Sequence, residues 1–399
     1  MSQGLEGVVA ASTRLSHVVG EAGRLTIAGY AVEDLAPRAS YEDVAYLLLY
    51  GRLPTSAERL AFARQLVERR QLLPIVTDVL REAAAVNAPP IDALRMAAPM
   101  LSLGRAEDPE DDSITAIASF PTIVGTYWRL LHGEAPVPVR FDLPHAGHYL
   151  HQLFGSEPPL ERTRALETYL NTVCDHGLNA STFAARVIAS TRSDVISAIT
   201  GAIGALKGPL HGGAPGPALD MVFEISSADR AEAVIRAKLD RGERIMGFGH
   251  RVYRVRDPRA DVLAHAADRF YSNGGDRNLY DLARSVESTA LRLLRVYKPE
   301  RRIDTNVEFY TALLLHGLGM PSELFTATFA VGRVTGWSAH CLEQLREGRL
   351  IRPQSEYVGP TDLRYDSLSE AGGRRSTHRS RGQEDASDDH VLTVSQAVE

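Results

Sequence analysis

Apolar residues fall into two regimes along the chain. In the first thirty positions they alternate weakly with polar ones and include β-branched residues, as in Gly7-Val8-Val9-Ala10 and Leu25-Thr26-Ile27-Ala28, which predicts a few short strands. From Tyr41 onward the spacing is helical almost throughout. Leu166, Leu170, Val173 and Gly177 recur at i, i+4, i+7 and i+11, one stripe of a helix that would turn His176 inward at its end. In residues 198–208, Gly201 and Gly204 stand beside Ile199 and Ile203, so a second helix can come close there, in a core or at a subunit interface. No repeat of fixed period and no succession of strands follows. Residues 104–113 are acidic and residues 132–140 proline-rich, and both predict surface loops. From Ser367 the apolar residues almost vanish and a basic block precedes an acidic one, the composition of a disordered tail over 367–399.

Composition adds limits. The chain has 399 residues, 44% hydrophobic and 24% charged, as expected of a soluble globular protein with room for two domains. A formal net charge of -6 argues against a general nucleic-acid binder. No stretch approaches the ~18 uninterrupted apolar residues of a membrane helix, and residues 1–15 show no basic segment followed by an apolar run. The expectation is a cytoplasmic protein without nucleic-acid or membrane partners. Cys174 and Cys341 have no metal-ligand spacing, so buried thiols and no metal are expected. Only three of the 44 basic residues are lysine, a bias that genomic base composition explains most simply.

Some residues call for a chemical explanation. Phe325, Phe329, Arg333 and Trp337 share one i, i+4 row, and a guanidinium on an aromatic stripe is buried; it needs either an internal carboxylate or an anionic ligand. In Gly208-Pro209-Leu210-His211-Gly212-Gly213 a histidine sits among glycines, suiting a tight turn or a site where a ligand reaches the ring. Gly247-Phe248-Gly249-His250 leads into Arg251, Arg254, Arg256 and Arg259. The run fits phosphates and carboxylates or a solvated face, with Asp257-Pro258 as a helix start. Glu308 precedes an apolar run, near a predicted helix N-terminus that favours its ionised form. His176 reads alone as a satisfied core histidine.

In order and spacing, the segments around His176, His211, His250, Glu308, Arg333 and Arg352 resemble the citrate synthase family over roughly residues 4–365. The resemblance implies a mostly α, two-domain fold with a few short N-terminal strands. Its large domain would comprise 1–211 and 314–366, with a small domain, 212–313, inserted between. It also implies an acyltransferase that condenses acetyl-CoA with oxaloacetate through an enol, followed by thioester hydrolysis. By the same resemblance, His211 would donate to the thioester oxygen and His250 to the ketone of oxaloacetate. Glu308, where the family usually has aspartate, would remove the α-proton. His176, Asn179, Arg259, Arg333 and Arg352 would hold oxaloacetate, Arg352 reaching across a homodimer with shared sites. Gly247, Phe248, Gly249 and Arg254 would meet CoA. Acyl-CoA is then a substrate and no cofactor is implied. A 2-methylcitrate synthase using propionyl-CoA is the alternative within the family, and a non-catalytic CoA-ester-binding member the alternative outside catalysis.

Overall fold

The computed structural model describes residues 3–5, 7–212, 215–250 and 252–363; the predicted tail, 367–399, lies outside them. Alternation and helical spacing segregate much as the pattern predicts. Strands β1 (Ser16–Val19), β2 (Arg24–Ile27) and β3 (Tyr30–Ala31) pair antiparallel in the order β1-β2-β3, with Val18 opposite Leu25. Leu25 and Ile27 are fully buried while Arg24 is exposed, the period-two signature of a sheet with one covered face. Gly7-Val8-Val9-Ala10 is not a strand, contrary to expectation. Val8 and Val9 are exposed there and have no strand beside them, and apolar alternation holds a strand only against a neighbour and a face to bury.

The helices in chain order are α1 (Val32–Leu35), α2 (Tyr41–Tyr50), α3 (Ser56–Glu68), α4 (Pro74–Ala85), α5 (Pro90–Ala97), α6 (Pro109–Leu131), α7 (His145–Phe154) and α8 (Leu160–Val173). They continue with α9 (Ala180–Ala189), α10 (Val195–Leu206), α11 (Pro215–Ile225), α12 (Ala231–Asp240), α13 (Pro258–Ser272), α14 (Arg277–Tyr297), α15 (Val307–Gly317) and α16 (Phe325–Glu347). Part of the acidic segment 104–113 is therefore helix. Asp108 caps α6 by accepting from the Glu110 and Asp111 N–H groups, Pro109 follows in the first turn, and the acidic residues sit at the positive end of the helix dipole. Helix α8 also ends earlier than its stripe suggests. Gly177 has φ 59°, outside the helical region, so His176 lies on a turn beyond α8.

Helix α16 is buried along most of its length, packed by α2, α6, α8, α9 and α10. Its close approach to α8 depends on glycine: a Cβ at Gly336 would overlap the Cys174 carbonyl and press on Asp175. The β1–β2 hairpin docks on two loops far along the chain. Ser16 Oγ accepts from the Gly177 N–H at 2.7 Å and Gly20 O from the Arg254 N–H at 3.2 Å. Met1–Ile351 form one compact unit and Arg352–Glu399 a second, whose described part has no regular secondary structure. Cys174 and Cys341 are buried free thiols, as expected. Among the described residues, no helix is long and apolar enough to cross a membrane.

Candidate active site

The turn after α8 presents His176 to the 250–259 loop. Its Nε2 lies 3.1 Å from the Tyr253 hydroxyl, and its ring centroid is 5.8 Å from that of His250. His250 follows Gly249, and its Nδ1 accepts the Val252 and Tyr253 N–H groups at 2.9 and 3.1 Å. With Nδ1 accepting, the ring proton of the neutral imidazole sits on Nε2. Burial, and then the positive charge of Arg259, push the His250 pKa down to about 4, so the ring is neutral at pH 7. The Arg259 guanidinium stands 3.3 Å from that Nε2. Both nitrogens carry hydrogen, so they cannot satisfy one another; an oxygen acceptor placed between them would satisfy both.

Arg259 is itself held. Asp257 caps α13, as its sequence context predicts, accepting from the Arg259 N–H at 3.0 Å and from the guanidinium at 3.1 and 2.8 Å. Burial alone would depress the Arg259 pKa, but Asp257 reverses that and raises it. Arg333 has no such carboxylate. It is 1% exposed, donates from Nε to the Val173 carbonyl at 2.5 Å, and lies 4.6 Å from the Phe329 ring centroid. Among the described residues no acidic side chain comes within ion-pair distance of it, and burial pulls its pKa down to about 10. Of the two sequence readings of Arg333, an internal ion pair and an anion grip, the ion pair is not formed among the described residues. Burial and the two guanidinium groups also hold the His176 pKa well below its usual value.

His211 occupies a turn between α10 and α11, and its Nε2 is 2.8 Å from Ser181 Oγ. That hydroxyl also accepts from Trp337 Nε1 at 3.1 Å and lies 2.8 Å from Asn179 Oδ1. Asn179 caps α9 through the Thr182 N–H, so its amide supports Ser181 and the helix start. Burial and the charge of Arg333 lower the His211 pKa to about 4. Sequence reasoning passed over Ser181, Tyr253 and Asp257 as partners. Ser181 carries little local signal, since two of its three partners, His211 and Trp337, come from distant segments.

Glu308 lies in the first turn of α15, behind the Asn306 cap, which accepts its N–H at 3.0 Å. Burial raises its pKa to about 7, opposed by Arg259 and assisted by Asp257. A carboxylate poised there serves as a base near neutrality. Asn306 also ties this turn to the glycine segment: its N–H reaches Gly247 O at 3.0 Å and its amide Gly249 O at 2.8 Å. The backbone around His250 and Glu308 is thus one unit. Phe248 points into the core, 5.5 Å from the Phe309 ring centroid, leaving this segment's backbone rather than its aromatic ring available to a ligand. Arg254 is exposed. Arg352 opens the second compact unit.

A sequence profile described as "Citrate synthase, C-terminal domain" matches residues 4–354. The chain is 39% identical to the citrate synthase of Haloferax volcanii, over 93% of this chain and 99% of that one. It is 38% identical to the 2-methylcitrate synthase of Shewanella oneidensis, over 89% and 94%. Among solved structures, citrate synthase from Thermoplasma acidophilum, in a ternary complex with carboxymethyl coenzyme A and oxaloacetate, superposes with a TM-score of 0.83 at 32% identity, covering 93% of this chain and 99% of that one. The fold, the length matched and these identities agree, and the chain belongs to the citrate synthase family.

Proposed function

We propose that this enzyme condenses acetyl-CoA with oxaloacetate to give citrate and CoA. The observation that carries the reading is the pair of convergent donors, His250 Nε2–H and the Arg259 guanidinium, beside the unpaired Arg333: an arrangement that calls for a small oxygen-rich dianion. The two carboxylates of oxaloacetate meet Arg259, Arg333 and His176, joined by Arg352 of the partner subunit in a homodimer. Its ketone oxygen takes the His250 hydrogen bond. Asn179 contributes by fixing Ser181. On the acyl side, His211, tied through Nε2 to Ser181, would donate to the thioester oxygen. Glu308 removes the α-proton as that oxygen gains charge, and a positioned donor of this kind contributes roughly 3 kcal/mol. The enol carbon attacks the ketone carbon while the His250 Nε2–H hydrogen bond stabilises the new alkoxide. Water then cleaves the citryl thioester, releasing CoA.

Arg254 and the Gly247-Phe248-Gly249 backbone would hold the CoA moiety, and the reaction calls for no cofactor or metal. Closure of the inserted 212–313 segment on the rest would exclude water during condensation. The relatives' activities and the acidic composition fit a cytoplasmic enzyme. A 2-methylcitrate synthase is the second reading, supported by the Shewanella relative; one methylene is worth only about 1–3 kcal/mol of discrimination. A CoA-release assay with and without oxaloacetate, run with acetyl-CoA and with propionyl-CoA, tests both. Oxaloacetate-dependent thiol release, faster with acetyl-CoA, is expected. Faster release with propionyl-CoA favours the second reading, and binding without release from either favours a non-catalytic member.

A further inference from the structure

Helix α14 supplies none of the residues above, yet it carries a buried carboxylate. Glu287 is 4% exposed and each of its oxygens accepts two hydrogen bonds. Oε1 takes Arg256 at 2.8 Å and the Thr305 hydroxyl at 2.7 Å. Oε2 takes the Tyr310 hydroxyl at 2.6 Å and Arg284 at 3.1 Å. Arg256 has no part in the resemblance or in the site geometry above.

These partners are placed informatively. Arg256 immediately precedes Asp257, which holds the Arg259 guanidinium. Thr305 immediately precedes Asn306, which caps the turn bearing Glu308. Tyr310 lies two residues beyond Glu308. The Thr305 carbonyl in turn accepts the Asp257 N–H at 3.4 Å, so the two segments also touch directly. We propose that Glu287 is a positioning residue that fixes the Glu308 carboxylate relative to the Arg259 guanidinium; this rests on reading those two as base and carboxylate grip.

Burying a carboxylate costs several kcal/mol unless hydrogen bonds and countercharge compensate. An apolar residue would pack this face of α14 at no such cost. What the carboxylate adds is direction, since four donors from three separate segments must meet two oxygens, and a fully satisfied polar network specifies one arrangement. Burial pushes the Glu287 pKa up, but Tyr310, Thr305 and Arg256 together hold it below the usual glutamate value, so the group is charged wherever Glu308 works.

Glu287→Gln tests the idea with little change of volume. An amide presents its acceptor on one side only, so no orientation keeps all four donors. A fall in kcat of about tenfold or more and a several-fold rise in the KM for oxaloacetate are expected, because misplacement near 1 Å can cost about 100-fold. The two arms should separate. Thr305→Val, which loosens the Glu308 side, should lower kcat with little change in oxaloacetate KM. Arg256→Gln, which loosens the Arg259 side, should mainly raise that KM. Oxaloacetate affinity by calorimetry adds a readout independent of turnover: weaker for Arg256→Gln, unchanged for Thr305→Val. If wild-type protein releases no CoA, the functional reading fails while the titrations still decide the brace. The proposal is overturned if the arm variants lower Tm alone, if Arg256→Gln leaves oxaloacetate affinity untouched, or if either arm variant shifts both kinetic constants equally. Should Glu287→Gln not fold, the two arm variants carry the test.

Discussion

A carboxylate that titrates near neutrality works on the slope of its own titration curve. Glu308, with its pKa raised to about 7 by burial, must be ionised to accept a proton. kcat/KM for the acyl-CoA should therefore fall by about tenfold per pH unit below that value and level off above it, as initial rates from pH 5.5 to 8.5 would show. Glu308→Gln should abolish turnover and leave oxaloacetate affinity nearly unchanged, since the base acts on the other substrate. Glu308→Asp restores the usual family residue yet withdraws the carboxylate by about 1.5 Å, enough to cost roughly 100-fold where near-attack geometry matters. A Glu308→Asp enzyme many-fold faster than wild type would show instead that the backbone around Asn306 still suits aspartate.

Helix α16 shows what an element contributes beyond its residues. It carries Arg333 and Trp337 on one row, and it reaches the His176 turn because Gly336 has no side chain to hold it off. Gly336→Ala should destabilise the fold by about 1–3 kcal/mol, read as a lower Tm, and should raise the KM for oxaloacetate because Arg333 and Trp337 move with the helix. The row itself was legible in the sequence, since a guanidinium on an aromatic stripe is an anomaly at helical spacing. The starts of α13 at Asp257-Pro258 and of α2 at Tyr41 were legible for the same local reasons. What escaped was non-local. The end of α8 is set by the backbone at Gly177, Ser181 matters only through His211 and Trp337, and Glu287 reads as an ordinary helix glutamate until Arg256, Thr305 and Tyr310 gather on it. Periodicity finds faces, and it does not say which faces meet.

For the whole molecule, the proposed homodimer makes Arg352 a residue of the neighbour's site. Chains carrying Arg352→Ala and His211→Ala should each be inactive alone, yet one site of every mixed dimer should be intact. Equal mixing after reversible dissociation should recover about a quarter of the wild-type activity. No recovery in demonstrated mixed dimers would mean that Arg352 serves its own subunit. A different consequence attaches to the β1–β2 hairpin. Ser16 closes on Gly177, Gly20 on Arg254, and Arg14 on Glu343 and Glu347, so contacts near one end of the sequence wait for segments from the middle and the far end. During synthesis, at roughly 5–20 residues per second, those first strands emerge tens of seconds before their last partners exist. Long-range closure of this kind is slow and comes late. In refolding, therefore, helical signal should return first and oxaloacetate binding last, because the histidine turns acquire their final places only when the hairpin seats.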